Sequence, residues 1–334
     1  MIPGTAEIRQ VPAWQALLAG AVTEPAELLH LLGLGPEWRA PAEAAARAFP
    51  LRVPRGFVAR MRRGDPGDPL LRQVLPLGDE LLAAPGYGLD PVGDAAARRA
   101  PGVLHKYAGR VLLTATGACA VHCRYCFRRH FPYAEENAAA GQWRAALDYL
   151  ASDPTIEEVI LSGGDPLMLS DRRLEEFIRS AEAVASLQRL RIHSRLPVVL
   201  PERVTPELVR VLATTRLHVV LVIHANHSRE IDDTVQSACE RIRLAGITLL
   251  NQSVLLRGVN DDVDALVELS RALFAAGVLP YYLHMLDRVQ GAAHFEVGAE
   301  RARKLQSALQ ARLPGYLVPR LVREIAGQSH KVAL

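Results

Sequence analysis

The chain has 334 residues, 49% of them apolar and 22% charged, with 39 Lys and Arg set against 36 Asp and Glu for a formal charge of +3. Those values describe a globular chain with a sizeable core, exclude bulk disorder, and lack the basic excess of a dedicated nucleic-acid binder. Only Lys106, Lys304 and Lys331 are lysines, so any chemistry that needs a lysine amine has three candidates.

The first residues, MIPGTAEIRQVPAW, lack the basic start and long apolar run of a secretory leader. No run approaches the roughly 18 apolar residues of a membrane span, and a cytoplasmic protein without membrane contact is expected. Residues 1–102 read as a helical N-terminal region, with AWQALLAG, PAELLHLL and PAEAAARAF separated by Pro and Gly, and RRGDPGDPLLRQVLP as an extended connector. No recognisable chemistry is expected there.

From residue 103 the pattern changes to short apolar or β-branched runs alternating with amphipathic stretches. The runs are VLLTA, EEVILS, LRIHS, HVVLVIH, ITLLNQSVLL and LPYYLHML, and the helical patterns lie near 138–151, 171–187, 205–213, 229–245, 261–276 and 299–312. Thr205-Pro206 and Asn260-Asp261 are the expected helix starts, with Gly246 and Gly277 just past helix ends. Six successive strand–helix units imply a parallel α/β sheet with helical crossovers, a partial (β/α)6 barrel over 103–315. Residues 316–334 form a short C-terminal segment.

The polar residues gather at one end of these units. The cysteines follow the first run, Gly163-Gly164-Asp165 the second, His193-Ser194-Arg195 ends the third and His224-Ala225-Asn226 the fourth, with Gln252 in the fifth and His284 in the sixth. In barrels of parallel strands the C-terminal edge carries the active site.

Cys119, Cys123 and Cys126 form a C-x3-C-x2-C cluster, CAVHCRYC. In a reducing compartment that clustering points to metal rather than disulfide. Three thiolates on a tight loop suit three corners of a cubane iron–sulfur cluster, whereas a structural zinc site takes four ligands. Cys239, in QSACERIRLAG, reads as a small buried residue of a helix.

From His105 onward the chain resembles the lysine 2,3-aminomutase family of radical S-adenosylmethionine (SAM) enzymes. The resemblance rests on seven collinear blocks: LHKYAGRVLLTATGACAVHCRYCFRRHFPY, LSGGDPL, HSRLPVVLPERVT, HANHSREI, NQSVLLRGVND, PYYLHMLDRVQGAAHF and LPGYLVPRLVREIAG. In length it is similar to the aminomutases that prepare elongation factor P for β-lysylation.

The resemblance implies a radical SAM fold in which Cys119, Cys123 and Cys126 hold a [4Fe-4S] cluster. Gly163, Gly164 and Asp165 would lie along the SAM amino group, with Ser194, His224 and Gln252 as further SAM or cofactor contacts. It also implies pyridoxal phosphate (PLP) joined to a lysine near the C-terminus. Lys304, in ERARKLQSALQARL, suits a solvated helix face. Lys106 stands where relatives carry arginine, which cannot form an imine, and with Arg110 it is read as a phosphate contact. Lys331 is left as the PLP lysine.

For the substrate, L-lysine, the resemblance places Arg128 on the α-carboxylate and Asp287 with Glu324 on the distal ammonium. It implies an isomerase that yields (R)-β-lysine, with an electron donor such as flavodoxin and a downstream ligase acting on elongation factor P. The lysine is either free or carried on that factor. Two alternatives stand beside it: a radical SAM and PLP aminomutase for another amino acid, and a non-enzymatic zinc-binding module.

Overall fold

A computed structural model describes residues 13–141 and 143–334; residues 1–12, where a leader was sought, lie outside the described residues, as does Gln142 within the 138–151 stretch. Ten strands form one sheet in chain order. They are β1 (Arg98–Ala100), β2 (Val103–Tyr107), β3 (Arg110–Thr116), β4 (Glu158–Gly163), β5 (Arg189–Ser194), β6 (His218–Ile223), β7 (Thr248–Val254), β8 (Leu279–His284), β9 (Arg320–Arg323) and β10 (Val332–Ala333). From β3 to β9 every neighbouring pair is parallel, while β1–β2, β2–β3 and β9–β10 are antiparallel.

The six expected runs are β3 to β8, with a helix between each parallel pair, as crossover connections require. Helix starts follow the sequence chemistry: Thr205 Oγ1 accepts from Leu208 N, and Ser170 and Asp232 cap their helices in the same way. At the expected Asn260-Asp261 start the cap is instead Asp262, which accepts from Asp264 N and Ala265 N. Asn260 is fully buried and donates to the carbonyls of Asn226 and Val254. Gly246 and Gly277 adopt φ of 79° and 74° just after their helices, a conformation that favours glycine.

The period of two along the strands sorts the side chains. Val111, Leu113, Val159, Leu161, Leu190 and Ile192 pack into the hydrophobic core. Their alternates, among them Leu112, Ile160, Ser162 and His193, face the lumen of the partial barrel. The sheet remains open between β1 and β10.

The N-terminal residues are not a separate layer. Helices Ala13–Ala19, Pro25–Leu32 and Arg39–Ala48 match the expected stretches, and Trp14, Leu28 and Leu32 belong to the same core as the barrel strands. RRGDPGDPLLRQVLP is not an extended connector: Asp68 caps a helical turn at Pro69–Arg72, and Leu70, Leu71, Gln73 and Val74 are fully buried. The sheet also crosses both expected boundaries, through β1–β2 pairing at Arg98↔Leu104 and β8–β9 pairing at Tyr282↔Arg320. Among the described residues no helix is long and apolar enough to cross a membrane.

Candidate active site

The three cysteines lie on the loop after β3, which the N-terminal region clamps. His122 N donates to Arg52 O at 3.0 Å and Arg124 N to Gln73 O at 2.9 Å. Between Cys123 and Cys126, the wholly buried Arg124 makes a two-point contact with Glu80 at 2.8 and 2.6 Å and donates to Phe49 O. Arg129 reaches the same Glu80 at 2.8 Å. The expectation that residues 1–102 carry no relevant chemistry is corrected here, because the cluster loop takes its shape from them. Nothing in a run of Ala, Leu, Arg and Pro singles out Glu80.

Burial foremost, and then the neighbouring sulfurs, push the Cys119 thiol well up and that of Cys126 to about 11. Metal coordination is what would hold all three as thiolates. Arg195 Nη1 donates to Cys123 Sγ at 2.7 Å, and its Nη2 donates to Gln73 Oε1 at 2.7 Å. Arg195 was visible in the sequence only as a polar residue at a strand end. Cys239 is buried in helix Asp233–Leu244, away from this loop's chemistry.

Gly163 and Gly164 bring the end of β4 against the cysteine loop. A Cβ on Gly164 would lie 2.4 Å from Ala118 O, and Gly163 has φ +113°. Gly164 N donates to Thr116 O and Asp165 N to Ala118 O. The close approach expected of the glycines is therefore made to the chain's own backbone. The Asp165 carboxylate accepts from Ser194 Oγ (2.7 Å), Arg195 N (2.7 Å), Leu196 N (3.1 Å) and Leu167 N (3.0 Å). It lines the cavity, but as a strut tying β4 to β5. Ser194 donates its hydroxyl to Asp165 and lies behind the cavity wall rather than on it.

The lumen is a cavity of about 550 Å³ whose lining includes Cys119, Cys123 and Cys126 together with Lys331. His193, His224, Gln252 and His284, from four successive strand ends, border it. The Nε2 atoms of the three histidines and Oε1 of Gln252 are buried without a partner among the described residues. Buried polar groups are normally satisfied, so these atoms mark a surface built for ligands. Burial holds all three imidazoles neutral, His224 down to about 4 and the other two well below the usual range. Three thiols, orphaned acceptors and a lysine amine in one chamber fit a cluster, SAM and PLP together.

Across the opening of the sheet runs a chain of alternating charge. Arg128 Nε contacts Asp94 Oδ2 at 2.7 Å, Asp94 Oδ1 contacts Lys106 Nζ at 2.7 Å, Lys106 contacts Glu324 Oε1 at 3.0 Å, and Glu324 Oε2 contacts Lys331 Nζ at 2.5 Å. Lys106, which also lines the cavity, contacts these two carboxylates and donates to Val92 O. Arg110 lies over the Tyr107 ring at 4.7 Å and lines the same cavity. Asp94 was missed because it precedes the first recognisable strand. Asp287 lines the cavity, its carbonyl accepting from Val289 N at 2.7 Å, and burial, with Glu324 nearby, pushes its carboxyl up to about 7. Lys304 stays outside, paired at 2.7 Å with Glu300 on the exposed face of helix Ala299–Arg312.

Comparison with known proteins agrees with this geometry. Residues 113–270 match the radical SAM superfamily. The chain is 51% identical to an L-lysine 2,3-aminomutase of Escherichia coli K12 over 96% of its own length and 94% of that protein's. It is 47% identical to one of Haemophilus influenzae, with 99% and 98% covered, and 34% identical to one of Clostridium subterminale, with 95% and 76% covered.

Proposed function

The chain belongs to the L-lysine 2,3-aminomutases of the radical SAM superfamily, and from that premise we propose that it converts L-lysine to (R)-β-lysine for attachment to elongation factor P. As an aminomutase it is an isomerase that moves an amino group within one molecule, and its cofactors are a [4Fe-4S] cluster, SAM and PLP. When bound, the cluster would supply one-electron chemistry to SAM, and PLP would supply a conjugated ring able to delocalise an unpaired electron.

The protein's share is to bind, orient and exclude water. Cys119, Cys123 and Cys126 hold the cluster by three thiolates, leaving one iron open to SAM. Lys331 carries PLP, with Arg110 toward its phosphate. Arg128, fixed by Asp94 and by Ser162 at 3.1 Å, presents a planar donor to the substrate α-carboxylate. Asp287 and Glu324, both on the cavity wall, take the distal ammonium. His224 and Gln252 supply polar contacts to the ligands in the cavity, and Asp165 sets the β4 edge along which SAM lies.

The observation that supports this most is the single cavity shared by the three cysteines and Lys331. A protein that bound zinc for structure alone would have no use for a lysine lining the same cavity as its thiols. Lysine, free or on elongation factor P, is the substrate in this account, with a flavodoxin-like donor upstream and a ligase downstream. Incubating the reduced, PLP-loaded protein with SAM and L-lysine and resolving the product chirally tests it. (R)-β-lysine supports the proposal; SAM cleavage without any β-lysine contradicts it.

A further inference from the structure

We propose that Arg195 sets the reduction potential of the cluster held by the three cysteines, through the hydrogen bond from its guanidinium to the Cys123 sulfur, with Glu230 as the opposing charge. The proposal deepens the aminomutase reading above and rests on its cluster.

The guanidinium is placed from several sides. Arg195 N donates to Asp165 Oδ2 at 2.7 Å, which fixes the backbone at the end of β5. From there Nη1 donates to Cys123 Sγ at 2.7 Å and to the Tyr125 hydroxyl, while Nη2 donates to Gln73 Oε1 at 2.7 Å and to Glu230 Oε2 at 3.1 Å. The rings of Phe57 and Tyr125 lie 5.7 and 5.5 Å from its central carbon. Arg195, Gln73 and Glu230 are all buried, so these contacts form away from water, where a charge-assisted hydrogen bond is strong.

The partners are themselves committed. The other oxygen of Glu230 accepts from Asn226 N at 2.8 Å, His227 N at 3.0 Å and Gln73 Nε2 at 3.1 Å. Asn226 Nδ2 donates to Gln73 Oε1 at 2.9 Å and to the Tyr125 hydroxyl at 2.7 Å. The guanidinium therefore cannot leave the sulfur without breaking buried pairs. Other arginines crowd the cysteine loop but direct their donors elsewhere, Arg124 and Arg129 to Glu80 and Arg128 to Asp94 and Ser162. Among the described residues no other guanidinium donates to a cysteine sulfur.

Reduction is the step this contact bears on. With three thiolates, a cubane cluster carries one net negative charge when oxidised and two when reduced. The electron comes from the one-electron donor, and no bond or proton moves. Burial opposes the added charge. A cation donating to a ligand sulfur favours it, and hydrogen bonds to sulfur and local charge are among the levers that set such potentials. Glu230 offsets part of that effect from the far side of the guanidinium. The two residues should therefore act with opposite signs: without the charge of Arg195 the cluster is harder to reduce, and without that of Glu230 it is easier.

The test uses the full-length protein reconstituted anaerobically, without SAM so that no contact to that cofactor enters. The electron paramagnetic resonance signal of the reduced cluster is followed through a redox titration, with iron per chain measured alongside. Iron-replete Arg195→Gln is expected to show a ratio of reduced to oxidised cluster about tenfold lower at a fixed potential, the worth of one hydrogen bond to a charged group, which is a fall of about 59 mV for one electron. Arg195→Lys, which keeps the charge, should recover most of that fall, and Glu230→Gln should move the potential upward. A wild-type potential in iron-replete Arg195→Gln overturns the proposal. So does a fall in Glu230→Gln, which would mark a loosened loop rather than an effect of charge. Should Arg195→Gln hold no cluster, Glu230→Gln decides alone: a rise supports the proposal, and an unchanged or lower potential overturns it. Wild-type protein that assembles no four-iron cluster would overturn the aminomutase reading instead, so the two failures are distinguishable.

Discussion

Arg124 and Glu80, both withdrawn from solvent, meet in a two-point contact that joins the cysteine loop to the N-terminal region. Breaking a buried pair by removing one partner costs about 3–5 kcal/mol, because the other charge is left without compensation. Glu80→Ala leaves both Arg124 and Arg129 in that position. It is expected to lower Tm by several degrees and to reduce the iron bound per chain after anaerobic reconstitution. Normal iron content in a folded Glu80→Ala protein would show that the clamp does not shape the cluster loop.

Gly164→Ala tests the approach of β4 to the same loop. The added Cβ would meet Ala118 O at 2.4 Å and the Gly117 carbonyl carbon at 2.8 Å, both backbone atoms that cannot rotate away. A backbone shift of this kind costs about 1–3 kcal/mol. Weaker SAM binding by equilibrium dialysis is expected alongside a lower Tm, and unchanged SAM affinity would count against the role given to this edge.

Ser194→Ala should act through structure only. It removes one of the four donors to Asp165, a loss of about 1 kcal/mol, while the three backbone donors remain. A small fall in Tm with near-normal SAM affinity is expected. A loss of SAM binding out of proportion to the stability change would restore Ser194 as a direct contact.

Asp287 carries a pH dependence with a definite sign. Its folded carboxyl stands at about 7, raised chiefly by burial and then by Glu324, above its value in an unfolded chain. Ionisation is therefore penalised in the fold, and the penalty grows as pH rises from the unfolded carboxyl range toward 7. Asp287→Asn should raise Tm at pH 8 and do so less at pH 5. In the PLP-loaded wild type, lysine binding should strengthen as pH climbs through about 7, while norleucine binding should not. Parallel pH profiles for the two ligands would remove Asp287 from the ammonium site.

Much of this architecture was legible in the sequence because parallel strands read as apolar runs and barrels gather polar groups at strand ends. VLLTA and HVVLVIH declared β3 and β6, and the cysteine spacing declared the cluster loop. β2 and β9 were less legible, since LHKY and PRLVR interleave charged residues with short apolar ones and carry no unbroken apolar run. Asp94 and Glu80 were invisible for another reason: each acts on residues far along the chain, Asp94 on Arg128 and Glu80 on Arg124, and no local pattern records such a partner. The contacts of Lys106 were invisible for the same reason, since its three acceptors, Val92, Asp94 and Glu324, converge only in the fold. The assignment of Lys331 by elimination is consistent with its place on the cavity wall.

The central claim is that the cysteines and Lys331, which line one cavity, act on the same bound lysine. Incubating reduced, PLP-loaded protein with SAM and L-lysine deuterated at C3, then locating the label by mass spectrometry, tests it most directly. Deuterium is expected in the 5′ position of recovered SAM and at C2 of the β-lysine formed. β-Lysine formed without any deuterium entering SAM would contradict the account.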